Sequence, residues 1–158
     1  MLKWSEEFAT GVKLVDLQHQ RLIDHINALE TLLGGPPPER AACDQLISFL
    51  VKYVNTHFQF EEICMERRRC PAHAQNQREH AALQSVVASF AQRYRAEGPT
   101  ADLLHSLHRT TSEWIGHHIL TVDIRLRGCA GADASPPARR LKSAAAEPVG
   151  ASGESATV

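Results

Sequence analysis

The chain has 158 residues, with 17 Lys and Arg against 18 Asp and Glu and a formal net charge of −1. At ~100–200 residues per domain this is one domain with room for a sizeable core. The balanced charge offers no footprint for nucleic acid, and no run approaches the ~20 apolar residues of a membrane span, so neither nucleic acid nor membrane is an expected partner. The opening Met1-Leu2-Lys3-Trp4-Ser5-Glu6-Glu7 has no apolar export signal, which makes cytoplasm the expected compartment.

Residues 1–15 read as an irregular arm. Apolar residues then recur at helical spacing in four stretches. The first carries His19, Leu22, Ile26, Leu29 and Leu33 and stops at Gly34-Gly35-Pro36. The second runs from about Glu39 to Arg68 through Leu46, Leu50, Val54, His57, Glu61 and Met65, with arginines where a helix C-terminus favours cations. The third starts near Pro71 and passes through Asn76, His80, Leu83, Val87, Phe90 and Tyr94 to Gly98-Pro99. The fourth passes through Leu104, Leu107, Thr111, Trp114, His118 and Val122 to about Arg127. With no strand pattern and short connections, the expected fold is all-α: an antiparallel up-down four-helix bundle over residues 1–128.

From Cys129 the composition changes. Ala, Ser, Gly and Pro fill nineteen of the last thirty residues. Residues 129–158 therefore read as a disordered tail, because such a segment buries too little surface to offset its ordering entropy. Its Arg139-Arg140-Leu141-Lys142 cluster reads first as a solvated charge run and second as a contact for a protein partner. The four cysteines, at 43, 64, 70 and 129, form no metal or iron–sulfur spacing. In a reducing compartment they read as free thiols.

The informative residues are the polar ones on apolar stripes: His19, His57, Glu61, Asn76, His80 and His118. A buried carboxylate and several buried imidazoles are costly unless paired or bound to a cation. His57 and Glu61 are four apart, on one helix face and ~6 Å apart along the axis, and Asn76 and His80 repeat the spacing. One such histidine is ordinarily a hydrogen-bonded core residue. Four, one on each helix with a glutamate among them, point to a metal centre built at one level of the bundle. His25, His73, His105, His108 and His117 read as surface residues. Nitrogen-rich ligation suits iron, zinc, copper or nickel, and the absence of any Glu-x-x-His argues against a ferritin-type oxidase.

Three segments resemble the hemerythrin family in its single-domain bacterial form. They are Trp4 with Gly11-Val12-Lys13-Leu14-Val15-Asp16-Leu17-Gln18-His19-Gln20-Arg21-Leu22, His57-Phe58-Gln59-Phe60-Glu61-Glu62 with Met65, and Trp114-Ile115-Gly116-His117-His118-Ile119 with Asp123. The resemblance covers residues 4–128 and implies a non-haem di-iron centre that binds O2 reversibly. It implies two iron ions joined by an oxo or hydroxo bridge. His19 and His57 would hold the iron that takes O2, His80 and His118 the other, and Glu61 and Asp123 would bridge them. Asp123 comes from the resemblance alone, since five residues past His118 is ~140° further around an ideal helix. Leu22, Phe58, Trp114 and Ile119 match the family's apolar O2 pocket, which shields bound oxygen from water.

One position departs from the family. Where it has His-x-x-x-His, this chain has Asn76-Gln77-Arg78-Glu79-His80. A water, the weak neutral oxygen of Asn76, or a shifted His73 would have to fill the place. The first functional reading is thus a non-enzymatic O2-binding protein for storage, delivery or sensing. The alternatives are a di-iron oxidase or a peroxide- or NO-reacting enzyme opened by Asn76, and an oxygen or redox signalling module acting through a partner.

Overall fold

The apolar spacing produces four α-helices in the computed structural model, which describes residues 1–36 and 39–129. They are α1 (Lys13–Leu33), α2 (Arg40–Arg67), α3 (His73–Glu97) and α4 (Ala101–Thr121). Short 3-10 turns occupy Glu6–Phe8 and Asp123–Gly128, and there is no strand among the described residues. Each helix packs on its neighbour in sequence and α4 closes the ring on α1, giving the expected up-down bundle. No helix among the described residues is long and apolar enough to cross a membrane.

Local chemistry sets the helix ends. Thr100 caps α4 by accepting from the Leu103 N–H, and Gly98 turns the chain after α3 at φ 79°. The α2 terminus is a Schellman turn. The N–H of Cys70 bonds the Met65 carbonyl at 2.8 Å and that of Arg69 bonds Glu66 at 2.9 Å, with Arg69 at φ 51°. The amino-terminal arm is tied down rather than loose. Asn27 accepts from the Leu2 N–H and donates to its carbonyl, Phe8 is buried, and Arg127 bonds the carbonyls of Glu6, Glu7 and Ala9.

Alternating helix direction brings the starts of α1 and α3 together with the ends of α2 and α4. His19, Asn76 and His80 lie near starts, while His57, Glu61 and His118 lie near ends, so all six share one level. The main apolar cluster, which includes Leu22, Phe58, Leu83, Leu104, Leu107 and Ile119, fills the bundle on one side of that level. A smaller cluster of Val12, Val15, Cys64, Met65, Cys70, Ala72, Val122 and Leu126 closes the end on the other.

Two expectations are corrected. The fourth helix does not run on to Arg127: it stops at Thr121, Val122 takes φ −115° and ψ −57°, and a 3-10 turn follows. Burial drives the break, because the turn seats Val122 and Leu126 fully in the end cluster and leaves Arg127 to hold the arm. The cysteines are not all free thiols: Cys70 is joined to Cys129, while Cys43 and Cys64 are buried thiols. Cys129, assigned by composition to the tail, is therefore fastened to the bundle. The rest of the expected tail lies outside the described residues.

Candidate metal centre

His19, His57, Glu61, Asn76, His80, His118 and Asp123 are all at most 2% exposed and form one polar layer between the two apolar clusters. The imidazoles fall into two pairs. The His19 and His57 rings lie 4.8 Å apart, and the His80 and His118 rings 4.9 Å apart. Two carboxylates stand between the pairs. Glu61 places Oε1 3.6 Å from His19 Nε2 and Oε2 3.4 Å from His80 Nε2. Asp123 places Oδ2 3.4 Å from His19 Nε2 and Oδ1 3.1 Å from His118 Nε2. Each carboxylate thus turns one oxygen to each side. Asp123 reaches the site because the chain leaves helical geometry at Val122, which cancels the ~140° offset of an unbroken helix.

An outer ring fixes which nitrogen faces inward. His57 Nδ1 donates to Gln18 Oε1 at 3.0 Å, His80 Nδ1 to Glu62 Oε1 at 3.0 Å, and His118 Nδ1 to Glu79 Oε2 at 2.7 Å. With the proton on Nδ1, each Nε2 presents a lone pair to the interior. Gln18, Glu62 and Glu79 escaped the sequence reading. Each is next in sequence to a residue of the layer but serves a histidine on another helix, and that adjacency was the available signal.

The inward atoms are unsatisfied. Both nitrogens of His19, Glu61 Oε1, Asn76 Oδ1, His80 Nε2 and His118 Nε2 are buried without a hydrogen-bond partner. Lone pairs on nitrogen facing carboxylate oxygens at 3.1–3.6 Å repel unless a proton or a cation lies between them. Electrostatics carry the same message. Burial, then the facing Asp123, pushes Glu61 up to about 8, and burial raises Asp123 well above the carboxylate range. Burial pulls His57 and His80 down to about 4, and lowers His19 and His118 as well. These are protonation costs that bound cations remove, because cations keep the carboxylates ionised and the imidazoles neutral. One ligand atom each from Glu61, His80, His118 and Asp123 lies within 4.8 Å of the others, and His19, His57 and Glu61 meet the same limit. The donor set fits two cations sharing Glu61, with Asp123 reaching both.

The stretch of sequence that builds this layer matches a known family. The model of the hemerythrin HHE cation binding domain matches residues 10–126. The chain belongs to the hemerythrin family. Bacteriohemerythrin of Stenotrophomonas maltophilia (strain R551-3) is 31% identical over 119 residues, 75% of this chain and 74% of that one. Bacteriohemerythrin of Methylococcus capsulatus is 29% identical over 125 residues, 78% of this chain and 92% of that one. A crystal structure of wild-type hemerythrin superposes with a TM-score of 0.71 at 27% identity, covering 84% of this chain and 99% of the other.

The apolar residues singled out for O2 divide unevenly in this hemerythrin-family bundle. Leu22, Phe58 and Ile119 are buried in the main cluster and Trp114 is half-buried against it. Phe58 stacks on His80 at 3.6 Å and Trp114 on His118 at 4.1 Å, so both rings lean on the second histidine pair. Asn76 Nδ2 donates to Asp123 Oδ1 at 3.0 Å and lies 3.4 Å from Glu61 Oε2, beside that same pair. His105 and His117 are exposed and His73 and His108 half-buried, as surface residues should be. His25 is half-buried like His73 and His108, and its ring stacks on Phe49 at 3.4 Å.

Proposed function

We propose that residues 1–128 form a di-iron protein that binds O2 reversibly, with His19 and His57 on one iron, His80 and His118 on the other, and Glu61 and Asp123 bridging. The observation that carries this reading is the pair of buried carboxylates, each turning one oxygen to each imidazole pair. Two ferrous ions, if bound by these residues, would supply the two electrons that binding O2 requires. The chain does the rest. Gln18, Glu62 and Glu79 hold the imidazoles with Nε2 inward, so no reorientation is needed when metal or ligand arrives. Leu22, Phe58 and Ile119, with Trp114 at the margin, keep bulk water and stray protons away from the layer. Cytoplasmic storage, delivery or sensing of O2 is the role this supports.

Asn76 favours a second reading, a di-iron oxidase or a peroxide- or NO-reacting centre. It gives the His80 and His118 side a carboxamide in place of a third imidazole, and its Oδ1 is buried and unpartnered. A neutral amide oxygen is a weak ligand that a small reactant could displace. Anaerobic reconstitution with ferrous iron, metal analysis, and visible spectra through cycles of air and vacuum separate the two. Two irons per chain and a charge-transfer band that comes and goes are expected for O2 binding. A band that decays at once to the oxidised form would refute it and favour the second reading.

A further inference from the structure

Three of the four cysteines gather at the closed end of the bundle: Cys64 and Cys70 belong to the end cluster and Cys129 packs against it. The Cys70–Cys129 disulfide spans 59 positions of sequence with Cα atoms 5.1 Å apart. Cys70 is set by the Schellman turn that ends α2, in which its own N–H bonds Met65. Cys129 follows the terminal 3-10 turn, whose first residue is Asp123. The bond therefore ties the segment carrying Asp123 to the α2–α3 connection.

The same segment is wired to the layer by a second route. Arg125 Nη1 donates to Gln75 Oε1 at 3.2 Å, and Gln75 Nε2 donates to Glu79 Oε1 at 2.8 Å. The other oxygen of Glu79 accepts from His118 Nδ1 at 2.7 Å. Both Asp123 and the acceptor that orients His118 depend on where this turn sits. It is a short 3-10 segment with poorer hydrogen-bond geometry than an α-helix, so a covalent tether matters more there than in the helices.

We infer that the Cys70–Cys129 disulfide is a redox modification site that sets how tightly the centre retains metal. Oxidised, it holds Asp123 between the two histidine pairs. Reduced, it frees the turn and loosens the bridge. The inference rests on the metal-centre reading above. The reductant is a dithiol. Its thiolate attacks Sγ of Cys129, which is half-buried where Cys70 is buried, and the S–S bond breaks as a mixed disulfide forms. Cys70 leaves as a thiolate and takes a proton. The second thiol of the reductant then displaces Cys129, which is protonated in turn. Two electrons and two protons pass to the protein, and the dithiol ends as a disulfide.

The test uses the full chain purified without reductant. Thiol titration after denaturation should find two free thiols, those of Cys43 and Cys64; four would overturn the inference. The protein is then loaded with Co2+, and metal transfer to a chromophoric chelator is timed for the oxidised chain. The comparison forms are the reduced and alkylated chain, Cys70→Ser and Cys129→Ser. Opened forms should lose metal about tenfold faster, the scale of removing an outer support of a metal site. Amide exchange should accelerate across 122–129 while α1 to α3 keep their protection. Equal release rates, or exchange accelerated equally in all helices, would make the bond a general staple and overturn the inference alone. A chain that takes up no Co2+ would sink the metal-centre reading as well.

Discussion

Replacing Glu61 with Gln should stabilise the metal-free chain while destroying its metal centre. Glu61 is fully buried, faces Asp123, and is pushed up to about 8 from an ordinary 4.5. Below pH 4.5 the carboxyl is protonated in both folded and unfolded chains and costs nothing. As pH rises from 4.5 towards 8 the unfolded chain ionises while the folded one stays protonated, so stability falls across that window. At ~1.4 kcal/mol per pH unit, the penalty at pH 7 is about 3 kcal/mol. Gln keeps the shape of the protonated acid and never pays it. For a chain of this size a gain of about 3 kcal/mol raises Tm by roughly 6–12 °C. Calorimetry of chelator-stripped protein at pH 5, 6, 7 and 8 should show Glu61→Gln above the parent by a margin that widens with pH. Adding Co2+ should reverse the order, because only the parent keeps both bridging carboxylates. A Glu61→Gln chain no more stable than its parent at pH 7–8, or a margin independent of pH, would refute the account of this layer.

Metal uptake at pH 6.5 should release about one proton per chain, since Glu61, pushed up to about 8, holds a proton that a cation displaces while His57 and His80 are already neutral. Calorimetric titration in two buffers of different ionisation enthalpy measures this, and zero release would contradict it. Asn76→His should add an imidazole beside His80 and His118, slowing iron loss and autoxidation; unchanged rates would show that Asn76 does not limit the site. Leu104→Ala, in the fully buried core, should cost about 3 kcal/mol of stability yet leave metal content per folded chain unchanged. A loss of metal in that variant, at temperatures where it is folded, would mean that the layer and the core are not separable.

The bundle and most of its polar layer were legible in the sequence for one reason: helical spacing repeats locally, so a histidine on an apolar stripe stands out wherever the partner helix lies. His19, His57, Glu61, Asn76, His80 and His118 were found in this way. Residues whose role depends on a break or on another helix were not. Asp123 lies on the wrong side of an unbroken helix and entered only through resemblance, because nothing local at Val122 announces that the chain will abandon α geometry. Gln18, Glu62 and Glu79 were given no role, because each acts on a histidine of another helix. The pairing of Cys70 with Cys129 had no signal at all across 59 positions.

What the sequence determined by itself was the set of helices, their apolar faces and the residue types able to hold metal, since these follow from local period and side-chain chemistry. Long-range packing was needed to turn Asp123 inward, to set which nitrogen His57, His80 and His118 offer, and to fasten the last turn at both the arm and Cys70. Those features arise where segments distant in sequence compete for the same buried space, and the burial of Val122 and Leu126 wins over the continuation of a helix.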